Sequence, residues 1–100
     1  MVMTSHESPE DRTSHVLFAV RQERARQEQL CAEGRFSHTC ASTALTPPQK
    51  LAILVEEVGE AARATIEFEG LCSDKHGKNL RSELVQVAAV AVAWAESLAY

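Results

Sequence analysis

The sequence predicts an all-α fold, a small antiparallel helix bundle formed by a single domain over residues 1–100 and completed by oligomerisation. Three observations predict it. Ala, Leu, Val, Glu, Arg and Gln supply much of the chain while glycine (4), proline (3) and aromatic residues (5%) are scarce, which favours helices over a β-sandwich. Ser8-Pro9-Glu10-Asp11 and Thr46-Pro47-Pro48-Gln49 both carry helix-start chemistry. Apolar residues recur at spacings of three and four through the second half, the period of a helix with one buried stripe.

Met1 to Glu7 is expected to be a loose tail. The first helix begins with Ser8 as N-cap, Pro9 in the first turn and two acids near the positive end of the helix dipole. It should run to about Glu33, where Gly34 stops it. Its apolar positions Val16, Leu17, Val20 and Leu30 leave Arg21 to Gln29 almost wholly polar. Arg21, Arg24 and Arg26 among Glu23 and Glu28 read as a solvated face laced with ion pairs. Gly34 to Leu45 has no periodicity and reads as a loop near the upper length for a structureless connection, where function often lies. Phe36 and His38 in it are suited to stacking on a base or to plugging the bundle.

Thr46, two prolines and Gln49 are the clearest local signal, a capping box with prolines where no backbone hydrogen bond is lost. From there Leu51, Leu54, Val58, Ala61 or Ala62, Thr65 and Phe68 mark a buried stripe. Gly59 interrupts it at a cost of about 1 kcal/mol relative to alanine, which suggests close approach of another helix or of a ligand. Gly70 should end this helix and Leu71 to Gly77 should form a turn, with the third helix beginning near Asp74 or Asn79. Leu80, Leu84, Val87, Ala91, Trp94 and Leu98 form its stripe, yet the other faces between Leu84 and Ala95 are apolar too. Two partner helices can hardly cover such a helix, so at least a homodimer is expected.

A formal charge of −4 and a pI near 5.5 argue against nucleic acid as a partner, since phosphate binding needs clustered Lys and Arg. Met1 to Arg12 lacks the apolar core of a secretory signal. Leu84 to Ala95 is broken by Gln86 and is too short and Ala-rich to span a membrane. Cys31, Cys40 and Cys72 share no C-x-x-C spacing and read as free thiols in a reducing cytosol, so the expected location is cytoplasmic. A zinc site from Cys31, His38, Cys40, Cys72 and His76 lacks finger spacing and is not favoured.

The chemistry resides in two acidic clusters, Glu56-Glu57-Val58-Gly59-Glu60 and Glu83-Leu84-Val85-Gln86. Residues three apart lie one turn above each other on a helix, so Glu57 pairs with Glu60 and Glu83 with Gln86. Like charges at that spacing repel, and a second acidic helix against the first makes sense mainly with a cation between them. Oxygen ligands from Glu57, Glu60 and Glu83, with the amide carbonyl of Gln86 as a weaker fourth, suit Mg2+ or Mn2+. Such a metal can cancel phosphate charge and activate water for in-line attack. Glu56, one position off that face, is placed to accept a proton or hold a second metal. Lys78 and Arg81, with Arg63 as a further candidate, are the cations nearest in sequence for the outer phosphates. The ordinary alternative is that these glutamates are surface charges; what counts against it is that both clusters abut the apolar stripes.

Leu51 to Glu60 and Leu80 to Val90 together resemble the MazG-like all-α nucleoside triphosphate pyrophosphohydrolase superfamily, whose signature is E-x-x-E on one helix and E-x-x-D on the next. The first helix, through Glu23-Arg24-Ala25-Arg26-Gln27, and the loop Gly34 to Ala41 are similar to short phage and bacterial members. The resemblance implies Mg2+- or Mn2+-dependent hydrolysis of a nucleoside or deoxynucleoside triphosphate between the α and β phosphates, giving monophosphate and pyrophosphate in nucleotide pool control. It also implies homodimers or homotetramers. Carried over by position, Glu57, Glu60 and Glu83 are metal ligands and Glu56 the neighbouring acid. Gln86 stands where the family usually has aspartate, a loss of one negative charge that should weaken metal binding. Base recognition is expected from the first helix and loop, with Arg24, Gln27, Phe36 and His38 as candidates, and the likeness to phage members leans towards a purine deoxynucleotide such as dGTP. Two competing readings are a non-catalytic helical oligomer that binds nucleotide or a protein partner, with Gln86 marking a degenerate site, and a purely structural bundle.

Overall fold

The computed structural model describes residues 8–71 and 74–98, and their side chains apart from those of 71 and 74–76. The expected tail lies outside these residues. Three helices account for most of them: α1 (Pro9–Ala32), α2 (Pro47–Leu71) and α3 (Asp74–Glu96), with no strand among the described residues.

Helix boundaries follow the local chemistry closely. Ser8 Oγ accepts the Asp11 N–H at 3.2 Å, capping α1. At the other end Gly34 takes φ +77°, its N–H donates to the Cys31 carbonyl (3.0 Å) and the Arg35 N–H donates to that of Leu30 (2.9 Å). That is a Schellman motif, and the left-handed turn is the reason a glycine stands there. The capping box of α2 is reciprocal. The Thr46 N–H donates to Gln49 Oε1 (2.8 Å), and the Gln49 N–H donates to Thr46 Oγ1 (3.3 Å).

Between α2 and α3 the structure departs from expectation. Helix α2 continues through Gly70 to Leu71, and α3 starts at Asp74, the earlier of the two candidate starts. Gly77 therefore lies inside α3, where a Cβ would stand 3.2 Å from the Phe68 ring of α2. The missing side chain lets the ring lie against the backbone. Gly59 is the reverse case: nothing lies within 4 Å of the position its Cβ would take, so no close approach occurs there among the described residues.

Helix α3 is central, and α1 and α2 both pack on it but not on each other. Ile53 and Leu54 of α2 meet Val90, Ala93 and Trp94 around Cys40, while Lys50 Nζ reaches Ser97 Oγ at 2.7 Å, so α2 and α3 are antiparallel. Val20 of α1 meets Val85 and Ala89, and Arg24 meets Glu96, so α1 runs in the same sense as α3. A cleft between α1 and α2, floored by α3, is the result.

Small residues form the floor. On α3 the buried positions are Val85, Ala89, Val90 and Ala93, with Ala89 at 0% exposure. The expected stripe was placed one face too far round: Leu84 and Leu98 are 54% and 58% exposed, Ala91 is exposed, and Leu80, Val87 and Trp94 are only half-buried. Carrying two helices on neighbouring sides requires small side chains on the inward arc, and this leaves the larger ones outside. On α2, Ala61 and Ala64 are buried, Leu54 and Phe68 are half-buried, and Leu51, Val58 and Thr65 are exposed. On α1, Val20 is buried and Leu30 half-buried, whereas Val16 and Leu17 are exposed. Exposed Leu51, Val55, Val58 and Ile66 share one flank of α2 by their spacing.

Arg24, expected on a solvated face, is 8% exposed. Its Nε and Nη2 donate to the two Glu96 oxygens (3.0 and 2.8 Å), Nη2 also donates to Glu28 Oε2 (2.8 Å), and Nη1 donates to Gln27 Oε1 (2.9 Å). The Thr39 hydroxyl donates to the same Glu28 oxygen (2.8 Å) and accepts the Ala41 N–H, which ties the loop into the network. The ion pairs hold Glu96 and Glu28 below the usual carboxylate range, chiefly through their bonds to Arg24. Depressed folded values mean that this contribution is complete above the unfolded carboxylate pKa and is lost as pH falls through the folded ones. Arg24→Leu is expected to destabilise the protein by about 1–3 kcal/mol at pH 7. The loss should shrink towards pH 3, and chemical denaturation of both proteins at pH 7 and pH 3 measures it.

Candidate metal centre and adjoining cavities

Helix α2 presents Glu57 and Glu60 one turn apart, and α3 presents Glu83 opposite them. One carboxylate oxygen from each lies within 4.8 Å of the other two. Oε2 of Glu57 and Oε2 of Glu83 are buried and have no hydrogen-bond partner among the described residues. Buried acceptors normally find donors, and each orphan costs roughly 1–3 kcal/mol. Mutual repulsion of ionised carboxylates at 4.8 Å adds roughly 1–3 kcal/mol per pair, between water-like and protein-like dielectric. Both effects push the Glu57 carboxyl up: burial first, then the charges of Glu60, Glu83, Glu23 and Glu56. Glu83 is raised by burial and by Glu60. Orphan oxygens, convergent carboxylates and two packed helices fit a hard dication, which would satisfy all of them together.

Two neighbouring cavities share Glu23, Arg26 and Gln86 as a common wall, and Glu57 of the cluster lines the smaller of them. The larger, about 440 Å³, is lined on α3 by Lys78, Arg81, Ser82 and Val85. Three cations line it, Arg26 of α1 and Lys78 and Arg81 of α3, together with Glu23. Arg26 is itself held by Glu23, Nε to Oε1 at 2.8 Å and Nη2 to Oε2 at 2.7 Å. That pair raises the Arg26 pKa, with a smaller contribution from Glu57. The smaller cavity, about 210 Å³, brings together Gln27, Phe36, His38, Thr39 and Glu57 over a floor that includes Ile53 and Val90.

Most of the residues singled out in the sequence thus converge. Glu57, Glu60 and Glu83 form the cluster and Gln86 borders both cavities. Lys78 and Arg81 line the larger one, and Gln27, Phe36 and His38 the smaller. Arg24 lines neither, being consumed by Glu96, Glu28 and Gln27. Glu56 is exposed and also lines neither; Arg63 pairs with Glu67 on the surface. Glu23 and Arg26 had been assigned only to a charged outer face, although their spacing from Ala19 and Gln22 already put them on one side of α1. The disfavoured zinc site does not form among the described residues, where Cys31 and Cys40 are free thiols; Cys72 and the His76 side chain lie outside them.

No protein-family model, curated protein or solved structure matches the chain. No helix among the described residues is long and apolar enough to cross a membrane.

The strain in the acidic cluster gives a prediction with two readouts. Glu57→Gln removes a raised carboxylate and the repulsion it feels, so the metal-free variant should melt above the native protein at pH 7.5. The same change should abolish any Mn2+-dependent rise in melting temperature. Differential scanning fluorimetry with EDTA and with MnCl2 reads both, and a lower metal-free melting temperature would contradict the account of the cluster.

Proposed function

We propose that this protein is a Mg2+- or Mn2+-dependent nucleoside triphosphate pyrophosphohydrolase, converting a nucleoside or deoxynucleoside triphosphate to the monophosphate and pyrophosphate. The observation that carries the reading is the convergence of Glu57, Glu60 and Glu83 with two orphaned buried oxygens, Glu57 lining a cavity that adjoins the one lined by Lys78 and Arg81. A bound dication supplies neutralisation of phosphate charge and a lowered pKa for water. Glu57, Glu60 and Glu83 are its proposed ligands, with the Gln86 carbonyl as a weaker, neutral fourth. Lys78 and Arg81 bind the outer phosphate oxygens, as point charge and as fork respectively. Arg26, between the cavities, is positioned to follow the phosphate chain from base to tail. Glu56, exposed beside Glu57, is the proposed proton acceptor.

The cavity arrangement supports a nucleotide rather than inorganic polyphosphate. An apolar-floored pocket with an aromatic residue lies on one side of the Glu23, Arg26 and Gln86 wall, and a cationic pocket lies on the other. A base and a triphosphate tail have the same division of character. The α phosphate would then lie near Glu57 and Gln86, where attack separates monophosphate from pyrophosphate.

Oligomerisation belongs to the same proposal. Leu51, Val55, Val58 and Ile66 on α2 and Leu84, Val92 and Leu98 on α3 are exposed, and no large side chain among the described residues is fully buried. Covering such a surface stabilises at about 25 cal/mol per Å², and a second copy of the chain offers the matching face.

Incubation with dNTPs and MnCl2 should release pyrophosphate, detected enzymatically, and Glu60→Gln should lower turnover about 100-fold or more. Gln86→Asp should tighten Mn2+ binding by adding the charge the site lacks. Nucleotide binding without turnover in either form would instead favour the non-catalytic oligomer. In sedimentation equilibrium the native chain should run at two or four times its 11.0 kDa mass, and Ile66→Glu combined with Leu98→Glu should run at the single-chain mass.

A further inference from the structure

The orientation of one amide selects the chemistry of the base. Gln27 Oε1 accepts a hydrogen bond from Arg24 Nη1 at 2.9 Å. An arginine only donates, so the amide oxygen must be the atom facing it and the amide cannot turn over. Arg24 has no freedom to release it: the residue is 8% exposed and its guanidinium is fixed by both oxygens of Glu96 and by Glu28. Oxygen and nitrogen of a primary amide point about 120° apart. With the oxygen turned to Arg24, the Nε2 group is the end left for the cavity that Gln27 lines with Phe36 and His38. No hydrogen bond from Nε2 to any described residue accompanies it.

Two of the other polar side chains that line the cavity, Thr39 and Glu23, are already engaged. The Thr39 hydroxyl donates to Glu28 and accepts from Ala41, and both Glu23 oxygens accept from Arg26. Gln27 is thereby a fixed donor of two hydrogens in a cavity that Phe36 also lines.

We propose that Gln27 is the specificity-determining residue of the smaller cavity and selects bases that present a carbonyl oxygen where adenine and cytosine present an amino group. The inference rests on the nucleotide reading above and adds to it the polarity of the base edge. A keto oxygen accepts from Nε2, whereas an exocyclic amino group places donor against donor and leaves both without partners. A site built to bond one partner rejects an isostere that cannot make the bond far more strongly than an apolar pocket does.

Two nucleotide pairs isolate the effect. Hypoxanthine differs from adenine, and uracil from cytosine, chiefly by a carbonyl in place of the amino group. The ratios of kcat/KM for dITP over dATP and for dUTP over dCTP should include at least one of about tenfold or more, set by which edge meets Gln27. Gln27→Glu, which can only accept, should bring that ratio below one. Gln27→Leu should bring it near one. Equilibrium binding of the α,β-imido analogues of the same nucleotides, measured by calorimetry with MnCl2, should repeat the pattern without turnover. Ratios near one in the native protein overturn the inference while leaving the pyrophosphohydrolase reading standing. A retained ratio in Gln27→Leu overturns it as well. Discrimination in binding with no pyrophosphate released supports the inference and sinks the catalytic reading, and failure of every analogue to bind overturns both.

Discussion

The buried guanidinium of Arg24 is the constraint on which the rest depends. A charge at 8% exposure is tolerable only when its donors are matched, and here they go to Glu96, Glu28 and Gln27. Glu96 belongs to the last turn of α3, so the pair sets where α1 lies along the central helix. Glu28 in turn holds Thr39, so the same charge positions the loop that carries Phe36 and His38. A lysine would not serve, since one ammonium cannot present two parallel donors to Glu96 while meeting Glu28 and Gln27 from the same plane. Because α1 packs on α3 and not on α2, this network acts with the contact of Val20 on Val85 and Ala89 to place α1 beside the cleft.

The cleft accumulates what the fold would otherwise avoid. Glu57 is pushed towards its neutral form by burial and by the charges of Glu60, Glu83, Glu23 and Glu56, and Glu83 by burial and by Glu60. The raised values mean that the metal-free fold loses stability as pH climbs through them, opposite in sign to the Arg24 network. Functional sites commonly carry such local cost, held in place by structure elsewhere. The arginine on the common wall, Arg26, gives its hydrogen bonds to Glu23 and acts on Glu57 only through its charge.

How legible this was from sequence varies with the range of the interaction. Ser8, Gly34, Thr46 and Gln49 declared the helix ends because capping is decided within four residues. The acidic cluster was legible for a similar reason, being two short repeats on neighbouring helices. Burial was not. The stripe from Leu80 to Leu98 has the right period and the wrong face, because α3 supports two helices and selects small residues inward, a demand no single-helix pattern records. Arg24 was misplaced on the surface since nothing near it in sequence announces Glu96, which is 72 residues away. Gly59 and Gly77 exchanged roles because close approach depends on where a distant Phe68 lands.

The two halves of the site are held by different forces. Glu57, Glu60 and Glu83 depend on the packing of α2 against α3, a contact of alanines and valines whose outer flanks remain apolar and exposed. The cavity around Gln27 depends on α1 and the loop, positioned by hydrogen bonds and charge. Loss of apolar cover on α2 and α3 would loosen the carboxylates while Gln27 kept its orientation. Loss of the Arg24 network would free that amide to rotate while the carboxylates stayed together. Under the proposed nucleotide reading, such a division would let the affinity for the phosphate end and the choice of base change independently, since each rests on contacts the other does not share.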